Sequence, residues 1–306
     1  MKRAALLLAV LLSFSTALAQ EKLKRPPITG IGRVTIYVRN HEAAMDFYSK
    51  KLSYFSSQEI PCERAPHFCF GNILQILDVV SPTSPDEGHF LGEIDFRTPN
   101  LERMHRYLES QNVKVSEIVK IERTVVHHEL DYFSAVNPEG HPIGFVELAG
   151  CWICETDPGD ERADWHIIHA GFVVRDRAAT DHFYKDILGF RPYWHGGMKD
   201  DRDDWVAMQV PDGTDWVEYM LNIPANADKK LLGVMNHIAL GVTDIQAAKA
   251  QLLKNGVKLT EEPQMGRDGK WQLNVYDPDS TRIEFMEFTP KEKPCCSEFT
   301  GPHPKP

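Results

Sequence analysis

The chain has 306 residues, of which 42% are apolar and 25% are charged, and its formal net charge is −10. This length and composition predict a globular protein of about two domains, with a core large enough to fold without stabilising metals or bridges. Phosphate backbones are bound by stripes of basic side chains, so an acidic chain whose charge is spread along its length argues against nucleic acid as a partner.

The N-terminus has the three parts of a secretory signal peptide. Residues 1–3 carry two positive charges, residues 4–12 are an apolar run, and residues 17–19 (Ala-Leu-Ala) form a small-x-small cleavage site. The apolar run is shorter than the roughly twenty residues that a membrane span needs. We therefore predict a signal peptide over 1–19, a periplasmic or secreted mature protein, and no membrane association after cleavage.

After a polar, proline-bearing lead-in over 20–29, one motif occurs four times in chain order. A strand ends in a short polar pair and runs into an amphipathic helix. The four starts lie at Ile31, Gly92, His169 and His237. Residues of the helix N-cap type follow each start, and they are Asn40, Asn100, Asp176 and Asp244. Three short β-like stretches follow each helix, and in the fourth repeat they are 258–260, 271–276 and 282–288.

Each repeat therefore reads as βαβββ. A single unit of this kind leaves one face of its sheet bare, so units are expected to pair, and four units make two pairs. The predicted fold class is α+β, with four βαβββ modules forming two paired-module domains. We place these domains at 30–148 and 165–288, separated by a linker over 149–164. A tail over 289–306, which holds several Pro and Lys, is expected to be loosely ordered.

Six cysteines bear on the compartment and on cross-linking. In an oxidising environment an even number of cysteines predicts disulfides first, and a four-cysteine zinc site is the less favoured alternative. One pair flanks a short loop, one pair follows the last strand of the first half, and one pair follows the last strand of the second half. The latter two pairs could cross-link linker and tail, although the sequence leaves the connectivity open. The six are Cys62, Cys69, Cys151, Cys154, Cys295 and Cys296.

The repeat carries a family resemblance. Its strand-to-helix starts, the segment DHFYKDILGF from Asp181 and the ending YDPDSTRIEFMEF from Tyr276 resemble the vicinal oxygen chelate superfamily, which includes glyoxalase I, extradiol dioxygenases and bleomycin-resistance proteins. The resemblance covers residues 30–288 and implies modules whose sheets curve around a metal-holding cleft. Because two fused pairs remove the commonest need to dimerise in this family, we expect a monomer. The superfamily hosts many chemistries, so the resemblance specifies fold more than reaction.

The resemblance also places metal ligands, at the first strand and the last strand of paired modules. In the second half, these positions are His169, Glu218, His237 and Glu284. Imidazole and carboxylate suit one divalent ion such as Fe, Mn, Zn, Co or Ni. Glu218 stands near hairpin-type residues, and without it the site becomes a triad of two histidines and one carboxylate.

The first half differs at the equivalent positions. These are Arg33, Gln75, Glu93 and Gly144. Arginine does not ligate and glycine has no side chain, so we expect the first domain to be metal-free.

Two further hypotheses concern catalysis. A ligand carboxylate, from Glu218 or Glu284, could leave the metal and act as a general base. His195 opens an acidic, glycine-hinged loop over 195–204 and could act as an acid or base, although a run of this kind is more often a solvated hairpin.

The donor set favours a glyoxalase-like lyase or isomerase that acts on a small oxygenated substrate through metal chelation. The alternative is an extradiol ring-cleaving dioxygenase, which the two-domain layout favours. Residues 271–275 nevertheless lack the histidine and tyrosine that dioxygenases carry before the acidic-Pro pair. A further alternative is a non-catalytic ligand-binding protein of the bleomycin-resistance type. The sequence identifies neither the substrate nor the metal.

Overall fold

The computed structural model describes residues 23–53, 67–72, 75–81, 91–121, 130–148 and 166–306. The predicted signal peptide (1–19), the predicted linker (149–164) and three of the cysteines lie outside the described residues. These cysteines are Cys62, Cys151 and Cys154. No helix in the described part of the chain is long and apolar enough to cross a membrane.

The first half of the chain forms one curled mixed sheet. Its described strands are β1 (Gly30–Tyr37), β2 (His67–Asn72), β3 (Gln75–Val80), β4 (Leu91–Arg97), β5 (Val119–Ile121), β6 (Leu130–Val136) and β7 (Pro142–Leu148). They lie in the order β2-β3-β1-β4-β7-β6-β5. The central strands β1 and β4 are antiparallel, and each pairs in parallel with the last strand of its own repeat, β3 or β7.

The second half forms a sheet of the same design. Its strands are β8 (His166–Val173), β9 (Arg191–Gly196), β10 (Trp205–Gln209), β11 (Trp216–Met220), β12 (His237–Val242), β13 (Gln264–Met265), β14 (Trp271–Tyr276) and β15 (Arg282–Glu287). They lie in the order β13-β14-β15-β12-β8-β11-β10-β9. The predicted α+β fold of paired modules is thus confirmed. One predicted strand was wrong, because 258–260 is irregular and the pairing with β14 begins at β13.

The described helices are α1 (His41–Met45), α2 (Leu101–Ser110), α3 (Arg177–Asp181), α4 (Lys229–Met235) and α5 (Ile245–Lys254). All of them except α4, which was not predicted, start where the sequence predicts. The four N-cap residues each accept a hydrogen bond from a backbone N–H of the first turn, as caps do. Helices α1 and α3 continue as wide π-helical turns over Asp46–Lys51 and His182–Ile187, so these two repeats share an unusual local geometry.

The two halves share one hydrophobic core, which contains residues of both sheets. Among the buried hydrogen bonds that cross between the halves, two involve tyrosines at related places of the first and third repeats. The Tyr48 hydroxyl donates to Asp277 at 3.0 Å, and the Asn137 side-chain amide donates to the Tyr184 hydroxyl at 3.3 Å. The first repeat therefore contacts the fourth, and the second contacts the third. A smaller apolar cluster that includes Trp216 belongs to the second sheet and leads to the cavity described below.

Candidate metal centre

Four neighbouring strands in the middle of the second sheet carry the donor side chains. Glu218 of β11 and His237 of β12 both align with the same residue of β8, which lies between them. His169 of β8 and Glu284 of β15 both align with the same residue of β12. These two cross-strand rows are two residues apart on each shared strand. Since alternate residues of a strand face the same side, both rows project from one face of the sheet.

The residues between the donors are small. Gly171 separates Glu218 from His237, and Ala239 separates His169 from Glu284. A Cβ atom on Gly171 would stand only 2.5 Å from Nδ1 of His237, so the glycine provides the space that the imidazole occupies. The sequence analysis missed Gly171, although its place two residues after His169 was a usable signal.

The donor atoms converge. Nε2 of His169 lies 3.1 Å from Nε2 of His237. An oxygen of Glu284 lies 3.6 and 3.5 Å from these two nitrogens, and an oxygen of Glu218 lies 3.9 and 3.5 Å from them. Ligand atoms about 2.1 Å from one divalent ion lie about 3 to 3.5 Å from one another. The group of His169, Glu218 and His237 therefore fits a metal site, and an oxygen of Glu284 lies within 3.6 Å of both imidazole nitrogens.

Both imidazoles are fully buried and neutral. Burial, followed by the positive charge of Arg282, lowers the pKa of His237 to about 3, and burial also lowers the pKa of His169. Nδ1 of His237 lies 3.0 Å from the carbonyl oxygen of Met235. A proton on Nδ1 would be donated to that carbonyl, which places the lone pair of His237 on Nε2, the nitrogen that faces the other donors.

The two carboxylates have different environments. Burial, reinforced by the charge of Glu284, raises the pKa of Glu218 to about 8. Burial acts in the same direction on Glu284, but its contacts with the imidazoles of His169 and His237 and the positive charge of Arg282 outweigh it and hold the pKa of Glu284 well below its usual range. Before a cation binds, Glu284 is therefore ionised while Glu218 keeps a proton.

A guanidinium stands beside the donors. Nη2 of Arg282 lies 2.7 Å from Nε2 of His237 and 4.0 Å from an oxygen of Glu284. The sequence analysis missed this residue, although Arg282 precedes Glu284 by two positions on β15 and therefore shares its face.

A cavity of about 440 Å³ opens over the donors, and both Glu218 and Glu284 line it. One part of its wall is aromatic and is formed by Tyr193, Trp194, Trp205, Trp216 and Phe299. The other part is polar and includes Glu261, Glu262, Arg267, Asp268, Gln272 and Asn274. The Trp216 ring packs against the His169 ring with centroids 4.8 Å apart. The cavity therefore has one aromatic side and one polar side.

The structure does not bring His195 to these donors. Its neighbour Trp194 lines the cavity, whereas His195 is about half exposed and its Nδ1 lies 2.8 Å from an oxygen of Asp203. Because adjacent strand residues face opposite sides, this separation follows from the strand itself.

In the first half, an ion pair fills the equivalent place. Arg33 is hydrogen-bonded to the buried Asp95 and lies 3.1 Å from Glu93. A Cβ atom on Gly144 would collide with Asp95, so the carboxylate uses the space that a longer side chain would need. Gln75 instead donates to the backbone oxygens of Ile31 and Ile167.

The tail is ordered, contrary to the expectation from its composition. Cys295 and Cys296 form a disulfide between neighbouring residues. Beyond it, Ser297 is hydrogen-bonded to the backbone of His195, and the backbone N–H of Thr300 donates to the carbonyl of Tyr193. These contacts along β9 place Phe299 in the cavity wall.

Comparison with known proteins supports the resemblance that the sequence suggested. Residues 166–285 match the family model of the Glyoxalase/Bleomycin resistance protein/Dioxygenase superfamily. No protein of curated function matches the sequence.

Solved structures show the same fold. The 2,3-dioxygenase LapB from Pseudomonas sp. KL28 is similar with a TM-score of 0.65 and 14% identity, over 92% of this chain and 96% of that chain. A variant of homoprotocatechuate 2,3-dioxygenase from B. fuscum has a TM-score of 0.63 and 16% identity, over 86% and 72%. The enzyme of that name from Arthrobacter globiformis has a TM-score of 0.62 and 15% identity, over 87% and 81%.

Proposed function

We propose that this protein is a metal-dependent enzyme that cleaves the ring of a small aromatic diol. The match of residues 166–285 to the family model of the Glyoxalase/Bleomycin resistance protein/Dioxygenase superfamily supports this proposal. The ion would be held by His169, His237 and Glu284, with Glu218 beside them. The observation that carries the proposal is the convergence of these donors at an aromatic-lined cavity.

A bound divalent ion would supply Lewis acidity and hold two neighbouring oxygens of the substrate. The protein supplies the rest. The aromatic wall, with Trp216 packed on His169, would hold the ring of the substrate over the donors. Glu218 faces the same point and would accept a proton from a substrate hydroxyl as a general base.

The structural relatives favour ring cleavage among the reactions of this superfamily. All three are named as 2,3-dioxygenases, and two of them are named for homoprotocatechuate, an aromatic diol. The five aromatic residues of the cavity wall support an aromatic substrate for this chain as well.

A glyoxalase-like lyase or isomerase is the second candidate, and the position of Glu218 favours it. The oxygen of Glu218 lies as close to Nε2 of His237 as the oxygen of Glu284 does, 3.5 Å in each case. If Glu218 is a fourth ligand, fewer positions remain for substrate and oxygen together. Chelation of the substrate alone would then suit the site better.

Turnover by the metal-loaded mature protein tests the proposal. The protein is loaded without oxygen with Fe²⁺ or Mn²⁺ and mixed with catechols, and oxygen uptake and the absorbance of ring-opened product are recorded. Ring cleavage predicts uptake of oxygen that His169→Ala abolishes and His195→Ala leaves intact. Isomerisation of hemithioacetals without oxygen uptake would support the second candidate. A protein that binds small molecules but no metal would contradict both and support a binding module.

We also propose that the protein works after export. The composition of residues 1–19 and the Cys295–Cys296 disulfide support an oxidising compartment. N-terminal sequencing of protein from the periplasm or medium should begin at Gln20. Recovery of the full-length chain from the cytoplasm alone would contradict this.

A further inference from the structure

We propose that Lys270 fixes a positive charge behind the aromatic wall of the cavity and so makes the site select a substrate that binds with one negative charge. This inference rests on the proposed function, since it names the substrate class of the same site. Lys270 acts through its charge as a positioning residue, without lying on the cavity surface.

The surroundings of Lys270 are unusual for an ammonium group. The residue is 0% exposed, and Nζ has no hydrogen-bond partner among the described residues. Nζ lies instead over three aromatic rings, 4.7 Å from the centroid of Trp216, 5.3 Å from Phe299 and 5.5 Å from Tyr193. All three rings line the cavity, so the ammonium lies directly behind the wall.

Burying an ammonium without an acceptor is costly, and aromatic faces offset only part of that cost. Burial lowers the pKa of Lys270 to about 8, opposed first by Asp268, so the group is protonated at neutral pH in the metal-free chain. A structural role would be met by any apolar side chain of this length. The charge of Lys270 therefore indicates that this residue attracts a negatively charged ligand.

Trp216 connects Lys270 to the donors. One face of its ring contacts the ammonium, and the ring also packs on His169, with centroids 4.8 Å apart. On the cavity side, the negative charges that face Lys270 belong to Asp268, Glu284 and Glu218. The ammonium thus acts on the metal centre through a low-dielectric wall, where charges interact more strongly than in water.

The charge balance of the occupied site defines the ligand. The buried or nearly buried charges around the donors are the carboxylates of Glu218, Glu284 and Asp268 and the cations of Lys270 and Arg282. With a divalent ion added, one positive charge is left in excess. A singly ionised diol neutralises it. Without Lys270, the occupied site would be neutral and would have no such preference.

Binding to the whole mature chain tests the inference without turnover. Mn²⁺ affinity is measured by titration calorimetry for the wild type, Lys270→Met, Lys270→Arg and the matched control Lys258→Met, which alters an exposed lysine. The Mn²⁺-loaded proteins are then titrated with 4-nitrocatechol, which ionises readily, and with catechol, which does not.

We expect Lys270→Met to bind Mn²⁺ about tenfold more tightly, because a repelling charge is gone, and to lose about tenfold of its preference for 4-nitrocatechol over catechol. Lys270→Arg should resemble the wild type, and so should Lys258→Met. A purely structural role of Lys270 would not raise the Mn²⁺ affinity and lower the preference for 4-nitrocatechol in the same variant.

Unchanged Mn²⁺ affinity and probe preference in a folded Lys270→Met protein would overturn the inference and leave the metal site standing. A wild type that binds no Mn²⁺ would overturn the metal site and the inference with it. If Lys270→Met does not fold, the wild type still decides, because equal affinities for 4-nitrocatechol and catechol contradict a site that selects an anion.

Discussion

At the scale of single residues, the candidate site depends as much on the missing side chain of a glycine as on its donor side chains. Gly171 stands between Glu218 and His237 in the cross-strand row, and its lack of a side chain lets the His237 ring lie over the sheet. A row of three full side chains would push the outer two apart. The small residue is therefore part of the geometry that brings the donors together.

Gly171→Ala tests this directly. Its Cβ would stand 2.5 Å from Nδ1 of His237, so the imidazole must turn away from the donor cluster. We expect divalent metal affinity to fall about 10- to 100-fold, as for other changes that misorient a ligand. Titration calorimetry gives the affinity, and circular dichroism verifies that the variant folds. A folded variant with wild-type affinity would contradict the assignment of His237 as a ligand.

Metal affinity should also depend on pH through Glu218. Burial and the charge of Glu284 raise its pKa to about 8, so the metal-free protein holds a proton there that a cation must displace. Affinity should rise about tenfold per pH unit from pH 6 to 8, and Glu218→Gln should flatten this slope. His237 adds nothing in this window, because its pKa is about 3. A wild-type affinity that is constant with pH would contradict the prediction.

The raised pKa of Glu218 also makes the stability of the metal-free protein depend on pH. The pKa of Glu218 is higher in the folded chain, about 8, than its ordinary value of 4.5. The stability that the proton contributes is complete below pH 4.5 and is lost as the pH rises toward 8. Bound metal removes this loss, so the stabilisation by metal should be larger at pH 8 than at pH 6.

At the scale of elements, the two sheets have the same strand arrangement but different side chains in the corresponding cross-strand row. Arg33, Asp95 and Gly144 lie in a row of the first sheet that corresponds to His169, Ala239 and Glu284 in the second. Where the second sheet gathers donors, the first holds a guanidinium against a buried carboxylate. Both sheets thus place a cation at this position. In the first sheet the cation is the guanidinium of Arg33, and in the second sheet, in our proposal, it is a metal ion.

Arg33→Met should be strongly destabilising. It leaves the fully buried Asp95 without its cation, and breaking a buried pair from one side costs about 3–5 kcal/mol. Urea unfolding gives the loss, and Arg106→Met on the exposed side of α2 is the matched control. A loss below about 1 kcal/mol would show that the pair adds little to the fold.

The elements also show how far sequence reasoning reaches. The repeat, its N-caps and most strand positions follow from local patterns, whereas the four donors were predicted from the family resemblance. Lys270 and Phe299 were missed because their roles depend on tertiary placement, whereas Arg282 had a usable signal in its place two residues before Glu284. A lysine before a strand and a phenylalanine in a polar tail have no local pattern that predicts burial beside Trp216. His195 had a local pattern, but the pleat directs it away from the cavity.

At the scale of the whole molecule, the halves behave as one unit. Their shared core and the buried Tyr48–Asp277 and Asn137–Tyr184 hydrogen bonds join repeats that are far apart in sequence. Separation of the halves would expose this core. The chain should therefore unfold in one step, although its sequence reads as two domains.

The distribution of tryptophan allows a clean test of this cooperativity. All six tryptophans lie in the predicted linker or the second half, at Trp152, Trp165, Trp194, Trp205, Trp216 and Trp271. Fluorescence therefore follows that part of the chain, while far-ultraviolet circular dichroism follows both sheets. We expect coincident urea transitions from the two signals. Two separated midpoints would show that the halves unfold independently.

The ordered tail also bears on how the protein should be prepared. His303 near the C-terminus lies 2.6 Å from the hydroxyl of Tyr193, and Phe299 forms part of the cavity wall. An oligohistidine purification tag fused at this end would place a flexible chelator within reach of the cavity mouth. Such a fusion would take up the ions that a titration is meant to count, so a cleavable tag inserted just before Gln20 is the sounder choice.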